Sequence, residues 1–475
     1  MRSSSYKYLC LLNSSISTPL YLTFFLLHLT ILVTGDSPQL YLPLDNIALN
    51  CGSSSEKSVN DTNWTADINS KVALLDQDSG SIQSTVHDQA STNPVPYHTA
   101  RVSRAKFTYT FPVTTTGPKF VRLHFYPASY PGFNRSKASF SVTTGRYTFL
   151  SNFSGVHYTE PLGDRGYARE FILNVEDERK NLSITFTPSA HVADAYAFIN
   201  GIEIVSMPTN LYYTAGGMKV FDKEFNSDPL QKETALEMMY RVNVGGAEIT
   251  PPDDTGMFRM WLSDIDYLTD ARPSVLQFND TIELQYNNHT RYAAPEELYR
   301  TARTMGPNGT VNEKYNMTWE FPVHSTFTYF VRLHFCSFIP IFQKGDLVFQ
   351  IYIANQTAEP YADIVYWADG NGVPIYKDYP VMMHAGGIEE FQNLSIAMHP
   401  SPNTFTFADA MLNGIEIFKF RKRDNLSGPN PGAYQDSPTS TTPPSATSSK
   451  PKLLVDYVLG LQFHFIVILF CYCFS

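Results

Sequence analysis

One hexapeptide occurs twice in this chain. Phe120-Val121-Arg122-Leu123-His124-Phe125 returns as Phe330-Val331-Arg332-Leu333-His334-Phe335. A Phe-Pro-Val precedes each copy at the same distance, Phe111-Pro112-Val113 and Phe321-Pro322-Val323. Both motifs recur after 210 positions, from 111 to 321 and from 120 to 330. A period that long is too large for a stacked solenoid and predicts a duplicated domain. Val331, Leu333 and Phe335 alternate with Arg332 and His334, the period of a half-buried strand. The Arg-x-His pair has two readings: a ligand or metal site, or a polar strand face satisfied by its neighbours. No second His or Cys stands at ligand spacing nearby, which favours the strand face.

A chain of 475 residues has room for two or three domains with sizeable cores. With 33 Phe and 29 Tyr it is rich in aromatics, which favours sheet over helix. The formal net charge of −10 argues against nucleic acid and fits a basic partner. The expected fold class is all-β: two tandem domains built of strands, with short helices.

Residues 1–35 read as a secretory signal. Arg2 and Lys7 charge its start, Leu20 to Val33 form an apolar stretch, and Thr34-Gly35 precede the cut. Asn-x-Ser/Thr sequons are dense beyond it, at Asn60, Asn63, Asn134, Asn152, Asn181, Asn279, Asn288, Asn308, Asn316, Asn355, Asn393 and Asn425. That density predicts a glycosylated extracellular surface.

The first domain is expected over 40–206 and the second over 216–420, joined by a linker at 207–215 that contains Pro208. Strands are predicted at Phe107 to Val113, Phe120 to Phe125, Ala138 to Thr143, Leu182 to Thr187 and Leu236 to Val244. Each domain closes on the same pentapeptide, Asn200-Gly201-Ile202-Glu203-Ile204 and Asn413-Gly414-Ile415-Glu416-Ile417. Tyr97-x-Thr99-Ala100-Arg101 answers Tyr299-x-Thr301-Ala302-Arg303, and Trp64-x-x-Asp67 answers Trp261-x-x-Asp264. Pro295 to Arg303 reads as one short helix with Glu296 and Glu297 in its first turn.

Residues 421–452 are rich in Ser, Thr and Pro, the composition of a solvated stalk. Residues 453–475 read as a hydrophobic membrane segment. As a helix, Tyr457 to Phe474 would span about 27 Å, marginal against a hydrocarbon core of about 30 Å. Lys450 and Lys452 flank its outer side, and no Lys or Arg follows. A glycolipid-anchor signal cut near Ser445-Ala446-Thr447, a single-pass helix and a truncated longer product all remain open.

Only Cys51 and Cys336 lie in the body of the chain. In the repeat register Cys51 matches Val244 and Cys336 matches Tyr126, so a bridge would cross between domains. It would contribute roughly 5 kcal/mol in the chain-entropy picture. The alternative is two buried free thiols. Asp253-Asp254 would suit glycoside chemistry as a carboxylate pair, but its Pro/Gly setting suits a turn. Tyr361, Tyr366, Trp367, Tyr376 and Tyr379 crowd one stretch, and read either as aromatics facing a ligand or as core packing.

Several motifs in order resemble a known family. They are Met239-Tyr240-Arg241-Val242-Asn243-Val244-Gly245-Gly246, Asp254-Thr255-Gly256-x-Phe258-Arg259-x-Trp261, Tyr299-x-Thr-Ala-Arg303 and both Asn-Gly-Ile-Glu-Ile closures. Together they resemble the tandem malectin-like ectodomain of FERONIA/THESEUS-type plant receptor kinases, from Tyr41 to Phe420. The resemblance implies lectin-like β-sandwiches at the plasma membrane. It further implies binding to secreted basic peptides of the rapid-alkalinisation-factor type, to glycolipid-anchored co-receptors, or to pectin and other wall polysaccharide. It implies no cofactor. The chain departs from the family in one respect: it carries no Gly-rich phosphate loop, Val-Ala-x-Lys, His-Arg-Asp or Asp-Phe-Gly. The expectation is a binding module that is not itself an enzyme. The competing expectation is a carbohydrate-active enzyme on a β-sandwich.

Overall fold

The computed structural model describes residues 40–59, 62–77, 82–85, 95–154, 166–176, 180–213, 218–221, 230–384, 391–402, 406–420 and 426. The expected signal, the apolar tail, the stalk apart from Leu426, and Asn60 and Asn425 lie outside the described residues. The described residues from Leu42 onward cluster as one unit.

The fold is all-β with a few short helices. The two hexapeptides lie within the strands Gly117–Phe125 and Thr328–Phe335, each an inner strand of a five-strand block. The first block runs Thr62–Ala66, Asn46–Asn50, Gly201–Ser206, Gly117–Phe125, Tyr167–Val175. The second repeats that order as Leu262–Ser263, Leu236–Asn243, Gly414–Phe420, Thr328–Phe335, Ile375–Met382. The last strand of the first block pairs antiparallel with Leu236–Asn243 through Phe171↔Glu237 and Ile172↔Leu236. With Lys57–Val59 at its start, this makes one continuous 11-stranded sheet.

Each block has its own facing sheet, which turns an alternating apolar face toward it. In the first half the facing sheet has five strands, with Phe107–Pro112 near one edge. In the second half it has four, with Met317–His324 at an edge. Phe111, Val121, Leu123, Phe140 and Phe198 belong to the first core, and Trp319, Phe321, Val331, Leu333 and Met411 to the second. Leu426 returns from the far end of the described chain to the first core, and its N–H donates to the Thr148 carbonyl at 3.0 Å.

Arg122 stands opposite Glu203 and Glu170, and Arg332 opposite Glu416 and Asp378, so the two arginines hold the same register position. The repeat extends to backbone detail. The Cys51 N–H donates to the Asn200 carbonyl and the Val244 N–H to the Asn413 carbonyl, both at 2.9 Å. Gly52 and Gly245 follow at φ 76° and 77°. A Cβ at either would come within 2.3 Å of the Ala100 or Ala302 backbone, so only glycine fits.

The helix expected over Pro295 to Arg303 ends at Arg300, and Thr301–Thr304 is a strand. Two pulls end it. Asn413 Nδ2 donates to the Thr301 carbonyl at 2.7 Å, and the Arg303 guanidinium pairs with Asp264.

Candidate functional site

The polar face of the long sheet is where the repeated residues meet. A carboxylate can only accept, so His124 Nε2 donates to Glu203 Oε1 at 2.6 Å and His334 Nε2 to Glu416 Oε1 at 3.1 Å. The other ring nitrogen meets the Tyr97 hydroxyl at 3.0 Å and the Tyr299 hydroxyl at 2.9 Å. Trp64 and Trp261 set an edge against the same two imidazoles. The Arg-x-His motif is therefore a strand face satisfied by its neighbours. Burial pushes the His334 imidazole below its ordinary value.

Glu203 behaves differently. Burial raises its pKa, but the His124 hydrogen bond and the charges of His124 and Arg122 outweigh that and pull it down to about 2. Its ordinary value is 4.5. The native state thus prefers the carboxylate. The stability from Glu203 is present above the unfolded value and is lost as pH falls through the folded one. Glu203→Gln is expected to flatten the loss of urea stability between about pH 5 and about pH 2. An unchanged acid slope would contradict that assignment.

A second set of charges lies where the two blocks join. Arg241 reaches both halves: Nη2 donates to Glu170 Oε1 at 2.9 Å, and Nε to Glu416 Oε2 at 3.0 Å. Ala48 fills the equivalent register position in the first half, opposite Glu203 as Arg241 is opposite Glu416. Only the second block has a preceding block beside it, and only there does the arginine occur. Each repeated arginine also donates to a carbonyl far along the chain, Arg122 to Met257 at 2.8 Å and Arg332 to Leu211 at 2.6 Å. The Tyr212 hydroxyl donates to Glu416 at 2.7 Å beneath the Arg332 guanidinium.

Asp254 is fully buried and clamps Arg259, which holds its carboxyl below the usual range despite burial. Asp253 accepts from the Thr250 hydroxyl at the start of a short turn. These two are turn and ion-pair residues and offer no acid–base pair.

The five aromatics of 361–379 do not share a face. Tyr361 and Tyr366 are 63% and 66% exposed. Trp367 is half-buried against Phe335 with Lys377 over its ring, and Tyr376 lies under the Arg332 guanidinium at 3.8 Å. Tyr379 does not face a ligand: it is fully buried and packs on Phe221, as the core-packing reading has it. Positions 376 and 379 are three apart on one strand, so their side chains leave on opposite faces. The sequence reading missed Leu276 and Phe278, which are 61% and 64% exposed on the edge strand Val275–Phe278. The short apolar run beside the Asn279 sequon was the available signal.

Asn63, Asn134, Asn152, Asn181, Asn288, Asn308, Asn316, Asn355 and Asn393 are all exposed. Asn279 is half-buried and its Nδ2 donates to the Phe338 carbonyl at 2.9 Å.

The bridge left open between Cys51 and Cys336 is not formed, and both are buried free thiols. Cys51 belongs to the first core, while Cys336 packs with Trp261, Leu298 and Tyr299 in a separate cluster of the second half. Burial pushes the Cys336 thiol up to about 12. Both should resist iodoacetamide in the folded protein and react in denaturant without reductant, as read by peptide mass spectrometry. Alkylation that needs reductant would contradict this.

Residues 49–420 match the Malectin-like domain. The chain belongs to the malectin-like family. This malectin-like chain is 43% identical to the receptor-like protein kinase FERONIA of Arabidopsis thaliana over 82% of its own length and 44% of that protein's. It is 38% identical to ANXUR1 of the same plant, over 81% and 45%. It therefore spans less than half the length of these relatives. A crystal structure of the plant receptor-like kinase FER matches with a TM-score of 0.72 and 42% identity, covering 82% of this chain and 99% of that one. The ANX1 ectodomain from Arabidopsis thaliana matches with 0.74 and 37%, again over 82% and 99%. Another match, at 0.72 and 42%, is the plant peptide RALF23 in complex with FER and LLG2, over 82% and 99%.

Proposed function

We propose that this chain is the ligand-sensing ectodomain of a receptor-like cell-surface protein. It binds a secreted basic peptide of the RALF23 kind together with a glycolipid-anchored co-receptor. The observation that carries this reading is the likeness to the FER chain that binds RALF23 with LLG2, which extends over 99% of that chain at 42% identity. The net charge of −10 suits a basic peptide. The exposed sequons fit a secretory route to the extracellular face of the plasma membrane, with the apolar segment 453–475 as its anchor. The halves 40–206 and 216–420 serve as two domains of one binding module.

A second reading, contact with pectin or another wall polysaccharide, draws on the exposed rings of Tyr361 and Tyr366. The carboxylate pair on which the enzyme alternative drew, Asp253-Asp254, is not available for acid–base work, because Asp254 is engaged with Arg259. One experiment separates the three readings. The secreted chain is immobilised and exposed to RALF23 peptide, then to oligogalacturonides. Peptide binding with sugars recovered at full length supports the receptor reading. Shortened sugars would establish an enzyme, and binding of sugar alone would establish the polysaccharide reading.

A further inference from the structure

Val275–Phe278 is the outer strand of a three-stranded sheet with Thr301–Thr304 and Met411–Leu412. Among the described residues nothing pairs with its free edge. Leu276 and Phe278 stand two apart, so they leave the strand on one face, about 7 Å from each other. Both are more than half exposed, on a strand whose edge is also open. An open edge with exposed apolar side chains is a template for another strand, and proteins ordinarily blunt it.

The duplication supplies an internal comparison. The first half builds the same three-stranded sheet from Ile82–Thr85, Thr99–Ser103 and Ala197–Ile199. There Gln83 pairs with Arg101 and Thr85 with Thr99. In the second half Leu276 pairs with Arg303 and Phe278 with Thr301. The same two backbone positions thus carry Gln and Thr in one half and Leu and Phe in the other. The sandwich does not need apolar residues there, since the first half folds the same way without them.

The flanking stretch 265–284 holds Asp266, Asp270, Asp280 and Glu283 against a single cation, Arg272. All five are exposed. The Asn279 side chain, which carries the adjacent sequon, is directed at the Phe338 carbonyl.

We propose that the free edge of Val275–Phe278 is the docking site for an extended segment of the basic peptide. That segment adds to the sheet as a further strand. Its backbone pairs with the open edge, its alternate apolar side chains pack on Leu276 and Phe278, and its basic residues meet the acidic flank. The inference rests on the peptide-binding reading above and names the surface that performs it.

The test uses the secreted chain with synthetic RALF23 peptide as probe, with LLG2 present. Amide exchange at 275–278 should slow on peptide addition. Leu276→Asp combined with Phe278→Asp should weaken peptide binding roughly tenfold or more without lowering the melting temperature, since both residues are exposed. Gln83→Asp combined with Thr85→Asp, at the equivalent edge, should leave affinity unchanged. If the wild-type chain binds but neither the exchange nor the Leu276/Phe278 variant responds, the docking site is overturned and the peptide-binding function stands. Slow exchange before peptide is added would assign the edge to a second copy if it grows with protein concentration. It would assign the edge to the chain's own C-terminal stretch if it does not. Either result overturns the proposal. Absence of peptide binding by the wild type removes the function and the site together.

Discussion

Replacing Arg241 by methionine will destabilise the protein by about 3–5 kcal/mol, measured from urea unfolding. Arg241 is 1% exposed and is shared by Glu170 of the first half and Glu416 of the second. Both carboxylates are also buried and held ionised: burial raises each pKa, but the Arg241 and Arg122 charges hold Glu170 below its ordinary value, and the His334 hydrogen bond with the Arg241 charge holds Glu416 below its own. Methionine keeps most of the volume and removes the charge. Two buried anions then lose a partner, which costs far more than the lost pairing alone would suggest. The defect lies at the seam, so amide exchange at Phe171, Ile172, Leu236 and Glu237 should accelerate before exchange elsewhere. Arg272→Ala, at an exposed pair with Asp270, should leave the midpoint where it is. An Arg241→Met protein as stable as the wild type would show that the seam does not depend on this ion network.

The second large effect is expected at the paired aspartates. Asp264 accepts from Arg303 Nε at 2.6 Å, from Trp319 Nε1 at 2.9 Å and from the Gly245 N–H at 3.1 Å. Asp67 repeats the arrangement, accepting from the Arg101 guanidinium, from the Tyr109 hydroxyl at 2.6 Å and from the Gly52 N–H at 2.7 Å. Each carboxylate ties the glycine turn that opens its sandwich to the facing sheet. Alanine at either position leaves a buried arginine without its counter-ion and strands two further donors. A loss of about 3–5 kcal/mol is expected from each. The two sites share no partner and lie in different cores, so the double variant should show the sum of the two losses. Losses below about 1 kcal/mol would mean that the turn is held by backbone geometry alone.

The strands were legible wherever apolar and polar residues alternate. Phe120 to Phe125, Leu182 to Thr187 and Leu236 to Val244 are all found as strands, and the twin Asn-Gly-Ile-Glu-Ile segments open the closing strands Gly201–Ser206 and Gly414–Phe420. The register drawn between the repeats was also legible, down to Cys51 with Val244 and Cys336 with Tyr126. The Tyr126 and Cys336 N–H groups each donate to the side chain of the repeated asparagine at 2.7 Å. The seam was not legible. Phe171 and Glu237 are far apart in the chain, and neither strand's sequence says which edge it will join. Arg241 looked like any other residue of its motif until its first-half counterpart proved to be Ala48. The over-long helix at Pro295 has the same cause: Thr301 to Arg303 form a strand because distant Asn413 and Asp264 hold them. The five aromatics crowd together in sequence, but the strand period sets Tyr376 and Tyr379 on opposite faces. What sets the edge at Leu276 and Phe278 apart is the strand pairing, in which Gln83 and Thr85 hold the same positions of the first half.

As the ligand-sensing ectodomain proposed above, this malectin-like chain would take a basic peptide and a co-receptor into one complex. The most direct measurement is the mass of that complex by light scattering after gel filtration of the secreted chain with RALF23 peptide and LLG2. One co-eluting species containing all three is expected, formed with LLG2 only when the peptide is present. Separate elution of the chain and LLG2 at saturating peptide would contradict it.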